Sequence, residues 1–279
     1  MKPNNKFKNL DIAFWANVRA ISETIGYTKR NNGTVLEYNI TDIEKAVEKI
    51  KLKKSLYFNK TKPTELTTKI LKYSNYRANI LNTQVRTNLL NKDIAKKLFT
   101  TLKKKYNPNC PIPMNKQKGT KKTPAFFTAM INILIENAIK DHNVDYEPKE
   151  LIKVFKNKIL IHTLSRRVDG AYPSTRSPIA IWEIKEYYNT TTFGSRVADG
   201  IYETLLDGFE LEVVLNSKKI KVFHYLFVDD YFTWWVKGKS YLCRIIDMLH
   251  MGKIDEAIFG KEILEAIPRI THKWIHYKK

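Results

Sequence analysis

A chain of 279 residues, 43% of them hydrophobic, can bury a sizeable core as one large domain or two small ones. Its 49 Lys and Arg against 28 Asp and Glu give a formal charge of +21, a field that attracts phosphate backbones. No apolar run approaches the roughly 20 residues that span a bilayer, and no G-x-x-x-x-G-K-[ST] loop is present, so neither a membrane-spanning helix nor a P-loop ATPase is expected. The N-terminus lacks an apolar secretory core, and Cys110 and Cys243 form neither a C-x-x-C pair nor a disulfide framework; both point to a cytoplasmic setting.

The charge is uneven: residues 1–122 hold 27 basic and 8 acidic residues, net +19, and residues 123–279 hold 22 and 20, net +2. A Lys-rich proteome would supply basic residues but not this asymmetry. In chain order, residues 11–25 read as a helix, with Ile12, Trp15, Val18 and Ile21 at helical spacing and Gly26 as the stop. Thr41 to Lys54 predicts a second helix, with Thr41 and Glu44 as a capping box. Residues 64–105 predict basic helices broken near Asn88–Asn91, with Thr64 as a cap. YNPNCPIPMNKQKGTKKT, residues 106–123, holds three prolines and reads as a linker. That divides the chain into a mostly helical, basic DNA-binding region, 1–123, and a second region, 124–279.

The second region opens with a strongly apolar helix, PAFFTAMINILIENAIKDH, in which Glu136 is a lone acid. ILIHTL, RRVDGAY and IAIWEIKEYY then read as three successive strands, the first two closely joined. Ser195 caps a helix that Gly208 would end, KVFHYLFVD (221–229) is a buried strand, and Ser240–Met251 is a helix ending near Gly252. The expected fold is α/β, a mixed sheet flanked by helices.

The chemistry concentrates between Arg166 and Tyr188. Residues i and i+2 of a strand share a face, so Glu183 and Lys185 project together while Ile184 turns into the core. If Asp169 ends the neighbouring strand, two carboxylates and an ammonium meet at one point. Such a set suits a divalent cation and phosphodiester hydrolysis.

These residues carry a resemblance. Val168-Asp169-Gly170, Glu183-Ile184-Lys185, the helix from Ser195 and the strand 221–229 together resemble the PD-(D/E)XK nuclease superfamily, most closely type II restriction endonucleases. The resemblance covers roughly residues 124–251, with Val168 where the family name has Pro. It implies a restriction-endonuclease-like core in which Asp169, Glu183 and the Ile184 carbonyl bind Mg²⁺ and Glu136 completes the shell. Lys185 would orient or help deprotonate the attacking water and stabilise charge on the phosphate. The implied activity is site-specific cleavage of double-stranded DNA by a homodimer. Alternatives are a repair or mobile-element nuclease of the same fold, or a non-catalytic DNA-binding protein.

Backbone contacts are expected from the basic residues Lys103, Lys104, Lys105, Lys118, Lys121, Lys122, Arg176 and Arg196, with Arg166 and Arg167 flanking the site. Asp199, Glu203 and Asp207 repeat every four residues and read as a solvated helix face. Trp234 and Trp235 read as core. His272 and His276 lack a third ligand for zinc.

Overall fold

The computed structural model describes residues 1–8, 10–29, 33–117, 120–140, 142–188 and 194–277. The protein is mixed α/β, with small sheets flanked by helices. Asp11 caps α1 (Ile12–Ile25) by accepting from Phe14 N at 2.7 Å. In α2 (Ile40–Lys49) the cap is Asn39 rather than Thr41, and the capping box closes with Asp42, each bond 2.9 Å. This helix ends short of Lys54, since Lys51 takes φ +59°. A small hairpin, β1 (Phe58–Asn59) and β2 (Lys62–Pro63), leads to α3 (Glu65–Ile80), capped by Thr64 as expected. A π turn over residues 81–85 continues into α4 (Arg86–Asn88), and the break precedes α5 (Lys92–Tyr106).

The expected linker contains an antiparallel hairpin, β3 (Met114–Gln117) with β4 (Thr120–Pro124). Its three prolines precede the ladder instead of interrupting it, which is why proline content misleads here. The apolar helix follows as α6 (Phe126–Ile139).

The strands also pair differently from expectation. ILIHTL forms β6 (Ile159–Thr163), whose partner is β5 (Lys153–Lys156) in a separate hairpin. The main sheet has the order β10-β9-β8-β7. β7 (Gly170–Tyr172) runs antiparallel to β8 (Ala180–Glu186). The long helix α7 (Ser195–Lys218) crosses over to β9 (Phe223–Asp229), which is parallel to β8. α8 (Lys239–His250) leads to β10 (Glu256–Phe259), also parallel, and α9 (Ile263–Ile275) closes the described chain. Trp182, Tyr225 and Phe227 pack on one face of the sheet with α6 and α9, and Leu226 and Val228 pack on the other with α7 and α8.

Two glycines are required by close approach. A Cβ on Gly170 would lie 2.0 Å from the Trp182 ring, so the residue after Asp169 has no room for a side chain. A Cβ on Gly208 would lie 2.3 Å from the Lys253 carbonyl oxygen. Gly208 therefore does not stop α7 but lets it pass against the 252–253 turn, and the helix runs ten residues further to Lys218. Among the described residues, no helix is long and apolar enough to cross a membrane.

The helices α1–α3 hold their own core around Trp15, Val18, Ile43, Ile70 and Tyr73. A buried ion pair ties it to α8. Arg77 Nη1 donates to both Asp247 oxygens at 2.9 and 3.0 Å, Tyr73 Oη donates to Oδ1 at 2.6 Å, and Arg77 Nη2 donates to Ser22 Oγ at 2.9 Å. Removing one member of such a pair strands a buried charge, whereas replacing both by apolar groups does not. Arg77→Met is expected to cost about 3–5 kcal/mol in urea unfolding, and the Arg77→Met/Asp247→Leu double variant to recover most of that loss.

Candidate active site

The three residues singled out in the sequence come together. β7 pairs with β8 so that Asp169, just before β7, donates its N–H to Trp182 O at 3.1 Å. Its side chain folds onto β8, where Oδ2 accepts from Ile184 N at 2.7 Å. Glu183 and Lys185 project from β8 on the α7 side, and Lys185 Nζ donates to Glu183 Oε2 at 2.8 Å. Glu183 is fully buried and Lys185 nearly so. A cleft of about 510 Å³ lined by Arg166, Arg167 and Asp169 opens beside them.

Arg166 is central to the cluster. Its Nη1 lies 2.6 Å from Asp207 Oδ2 and 3.0 Å from Glu183 Oε1, and its Nη2 lies 3.1 Å from Glu183 Oε2 and 3.3 Å from Glu203 Oε2. Lys185 Nζ also reaches Glu203 Oε2 at 3.4 Å. The acids of α7 therefore do not form a solvated face. Asp199 is exposed, but Glu203 reaches into the cluster and Asp207 is buried. Sequence reading missed them because four-residue acid spacing is the usual mark of an exposed stripe. The apolar residues 201, 202, 205, 206 and 209 share the side of the helix opposite these acids; Gly200, Thr204, Gly208 and Leu211, on the Asp207 side, are the signal that could have found it.

The charges settle each other. Burial raises Asp169, with the Glu183 charge adding to it, to a pKa of about 6. Burial would raise Glu183 too, but Lys185 and Arg166 outweigh it and hold the carboxyl below its ordinary value. Burial opposes the Lys185 ammonium, yet Glu183 and Asp169 keep its pKa above the ordinary lysine value. Lys185 is thus a fixed cation rather than a base. Burial pushes Asp207 up to about 7 against the pull of Arg166.

The donor set fits a hard cation. Mg²⁺ takes one or two carboxylates and keeps waters, and Asp169 and Glu183 supply two. Glu183 Oε1 is buried and has no hydrogen-bond partner among the described residues, its contact with Arg166 being one of charge alone. Among the described residues no three His, Cys, Asp or Glu side chains are gathered as a ready ligand set. Glu136, expected to complete the shell, instead accepts from Asn109 N at 3.2 and 3.1 Å through its two oxygens. The loop after α5 takes it up, so it is not part of the cluster. Ile184 is engaged through its N–H, as above.

Of the expected phosphate contacts, Lys103, Lys104 and Lys105 are exposed on the last turn of α5, and Arg176 and Arg196 are exposed as well. Arg176 stacks over Phe155 at 4.2 Å. Lys118 lies outside the described residues, as do the side chains of Lys121 and Lys122. Trp234 and Trp235 are core. His272 in α9 and His276, just past its end, stack at 4.2 Å.

Residues 90–274 match the family model described as Domain of unknown function (DUF7687). The chain belongs to the DUF7687 family. Residues 1–84 match a second model, Domain of unknown function (DUF7690). No curated protein and no protein of solved structure matches the chain. The DUF7687 match holds the whole carboxylate cluster. It also begins at the break before α5, and α5 shares the core of α6 and the sheet. Lys103–Lys105 are therefore carried on a helix of the sheet unit, and residues 85–89 separate the two matched segments, upstream of the 123/124 boundary read from the sequence.

Two further acids, Glu186 at the end of β8 and Asp229 at the end of β9, lie on the opposite face of the sheet. Glu186 Oε2 accepts from Thr128 N and Oγ1 at 2.9 and 3.0 Å. Asp229 accepts from Leu90 N at 2.8 Å, Asp230 N at 2.9 Å and the Tyr188 hydroxyl. Burial raises Glu186 to about 7 and Asp229 to about 8. Folding therefore takes up protons between the unfolded carboxylate value, about 4, and these values. The contribution to stability is complete below about pH 4 and is lost as pH rises through the folded values. The urea midpoint should fall between pH 5 and pH 8.5, and Asp229→Asn should flatten that slope; a midpoint that rises across this range would contradict the assignment.

Proposed function

We propose that this protein is a Mg²⁺-dependent endonuclease that cleaves double-stranded DNA at specific sites, in the manner of type II restriction enzymes and as a homodimer. The observation that carries the reading is the meeting of Asp169, Glu183 and Lys185 at adjoining strands β7 and β8, followed by a crossover helix and a parallel strand. That is the layout expected of a PD-(D/E)XK core. The net +21 supports a polyanionic substrate. One cluster per chain serves one strand, so a two-fold pair of chains suits a palindromic duplex.

Mg²⁺ bound at Asp169 and Glu183 would polarise the phosphate and activate a water. Lys185, held as an ammonium, donates hydrogen bonds to the attacking water and to charge developing on the phosphorus oxygens. It does not accept the water's proton. Glu203, half-exposed and 3.4 Å from Lys185 Nζ, is placed to receive it. Attack on phosphorus breaks the bond to O3′ and leaves a 5′-phosphate and a 3′-hydroxyl, the leaving oxygen taking a proton from solvent. Arg166 and Arg167, at the cleft, face the incoming backbone.

One observation favours a second reading, a DNA-binding protein without catalysis: Glu183 already carries two cations, and Arg166 stands where a metal would neutralise it. Digestion of a mapped plasmid decides between them. Discrete fragments with Mg²⁺, none with EDTA, and loss of at least about a hundredfold in Asp169→Ala, Glu183→Ala and Lys185→Ala are expected for the nuclease. Binding without cutting in every divalent metal would leave the second reading.

The basic surface has its own test. Replacing Lys103, Lys104 and Lys105 by Gln should weaken binding to all duplexes about equally. Each lost phosphate contact should reduce the slope of log K against log salt by roughly 0.9. An unchanged slope would make these lysines a solvated face.

A further inference from the structure

Between the two matched segments lies a cavity of about 330 Å³ that the cluster does not use. α1 supplies Arg19, the following loop Tyr27, α7 Ile201 and Leu205, and α8 Arg244 and Met248. Its volume is at the lower end of the roughly 300–1,000 Å³ of small-molecule sites, which favour such junctions. The size admits a mononucleotide.

The lining specifies a ligand chemistry. Ile201 and Met248 are buried and, with the half-buried Leu205, form an apolar floor. Tyr27 adds an aromatic wall, its ring fixed over the Arg77 guanidinium at 5.0 Å. Two further guanidiniums line the cavity, Arg19 from α1 and Arg244 from α8. Arg19 donates only to Met251 Sδ, at 3.0 Å, and Arg244 to the Tyr202 hydroxyl, at 2.9 Å. Neither forms an ion pair among the described residues. Two acids also line the cavity: Asp247, buried and neutralised by Arg77, and Glu23, exposed and one turn after Arg19 on α1. Two arginines against one carboxylate not taken up by Arg77, beside an apolar floor, leave a net positive charge that suits an anion joined to a flat ring. A phosphate monoester carries close to two charges at pH 7, whereas a carboxylate carries one.

We propose that this cavity binds a nucleoside 5′-monophosphate, with its phosphate between Arg19 and Arg244 and its base on the Ile201–Leu205–Met248 floor. The site is also placed to regulate. α7 turns Ile201 and Leu205 to the cavity while Glu203, between them in sequence, pairs with Lys185 and Arg166. A ligand that orders this stretch of α7 acts on the carboxylate cluster through the same helix.

The test is calorimetric titration of the full chain, without divalent metal, by the four common nucleoside 5′-monophosphates, by the parent nucleosides and by inorganic phosphate. Saturable binding of at least one monophosphate is expected, with its nucleoside and free phosphate each at least about tenfold weaker. Arg19→Ala and Arg244→Gln should each raise Kd at least about tenfold, as loss of a charged hydrogen bond does. Arg19 is exposed, so Arg19→Ala keeps the test decisive if Arg244→Gln lowers the melting temperature. No saturable binding of any of the four at millimolar concentration overturns the proposal, as does binding that survives both substitutions. The readout is binding alone, so it stands or falls apart from DNA cleavage.

Discussion

The structure turns on how Glu183, a fully buried carboxylate, is kept charged inside a β-sheet. Taking an ion of this kind out of water costs several kcal/mol, and the cost is offset only by close, well-aligned partners. Lys185 at 2.8 Å and Arg166 at 3.1 Å supply them. Arg166 is in turn held by Asp207 at 2.6 Å, so the docking of α7 is part of the same electrostatic balance. Gly208, one residue on, lets the helix lie against the 252–253 turn. A side chain at Gly208 would push away the helix that supplies Asp207, and the charge on Glu183 would lose its outer support.

The two faces of β8 solve the problem of buried acids in different ways. Alternation along the strand sends Glu183 and Lys185 to the α7 face and Glu186 to the α6 face. On the first face ammonium and guanidinium groups are present, and Glu183 stays ionised. On the second face the donors of Glu186 and Asp229 are neutral amides and hydroxyls, and burial prevails. Hydrogen bonds from neutral groups stabilise a carboxylate less than a nearby full charge does. The same strand therefore carries one acid below its ordinary pKa and another, three residues on, above it.

Much of the sheet is legible in the sequence because its strands are long apolar runs, and β8 and β9 stand out for that reason. Glu183 and Lys185 are legible as the charged interruptions of such a run. Short or weakly patterned elements are not: β10 has four residues, and β5 reads K-V-F-K. The start of α2 illustrates a different limit. Asn39 with Asp42 and Thr41 with Glu44 both satisfy the capping pattern, and the choice between them is made by tertiary packing. In sequence Gly208 resembles a stop because glycine ends helices more often than it admits a neighbouring backbone. Arg166 lies 17 residues from Glu183 and 41 from Asp207. No spacing rule links a loop arginine to a strand and a distant helix, so this part of the site becomes visible only in three dimensions.

The position of Arg166 also constrains any chemistry at the cluster. A guanidinium does not give up its proton at accessible pH, so it leaves a carboxylate only by moving. A divalent cation at Glu183 would repel it at short range, where screening by salt is weak. Its other partners set where it can go: Asp207 is buried and anchors one nitrogen, while Glu203 is half-exposed at the rim. A rotation that keeps Asp207 and gives up Glu183 carries the guanidinium toward the cleft that Arg167 and Asp169 also line. On the nuclease reading, the displaced arginine would then be near the substrate phosphate, where a bidentate cation is most useful. On that reading the group that keeps Glu183 charged without metal would become a phosphate ligand in its presence.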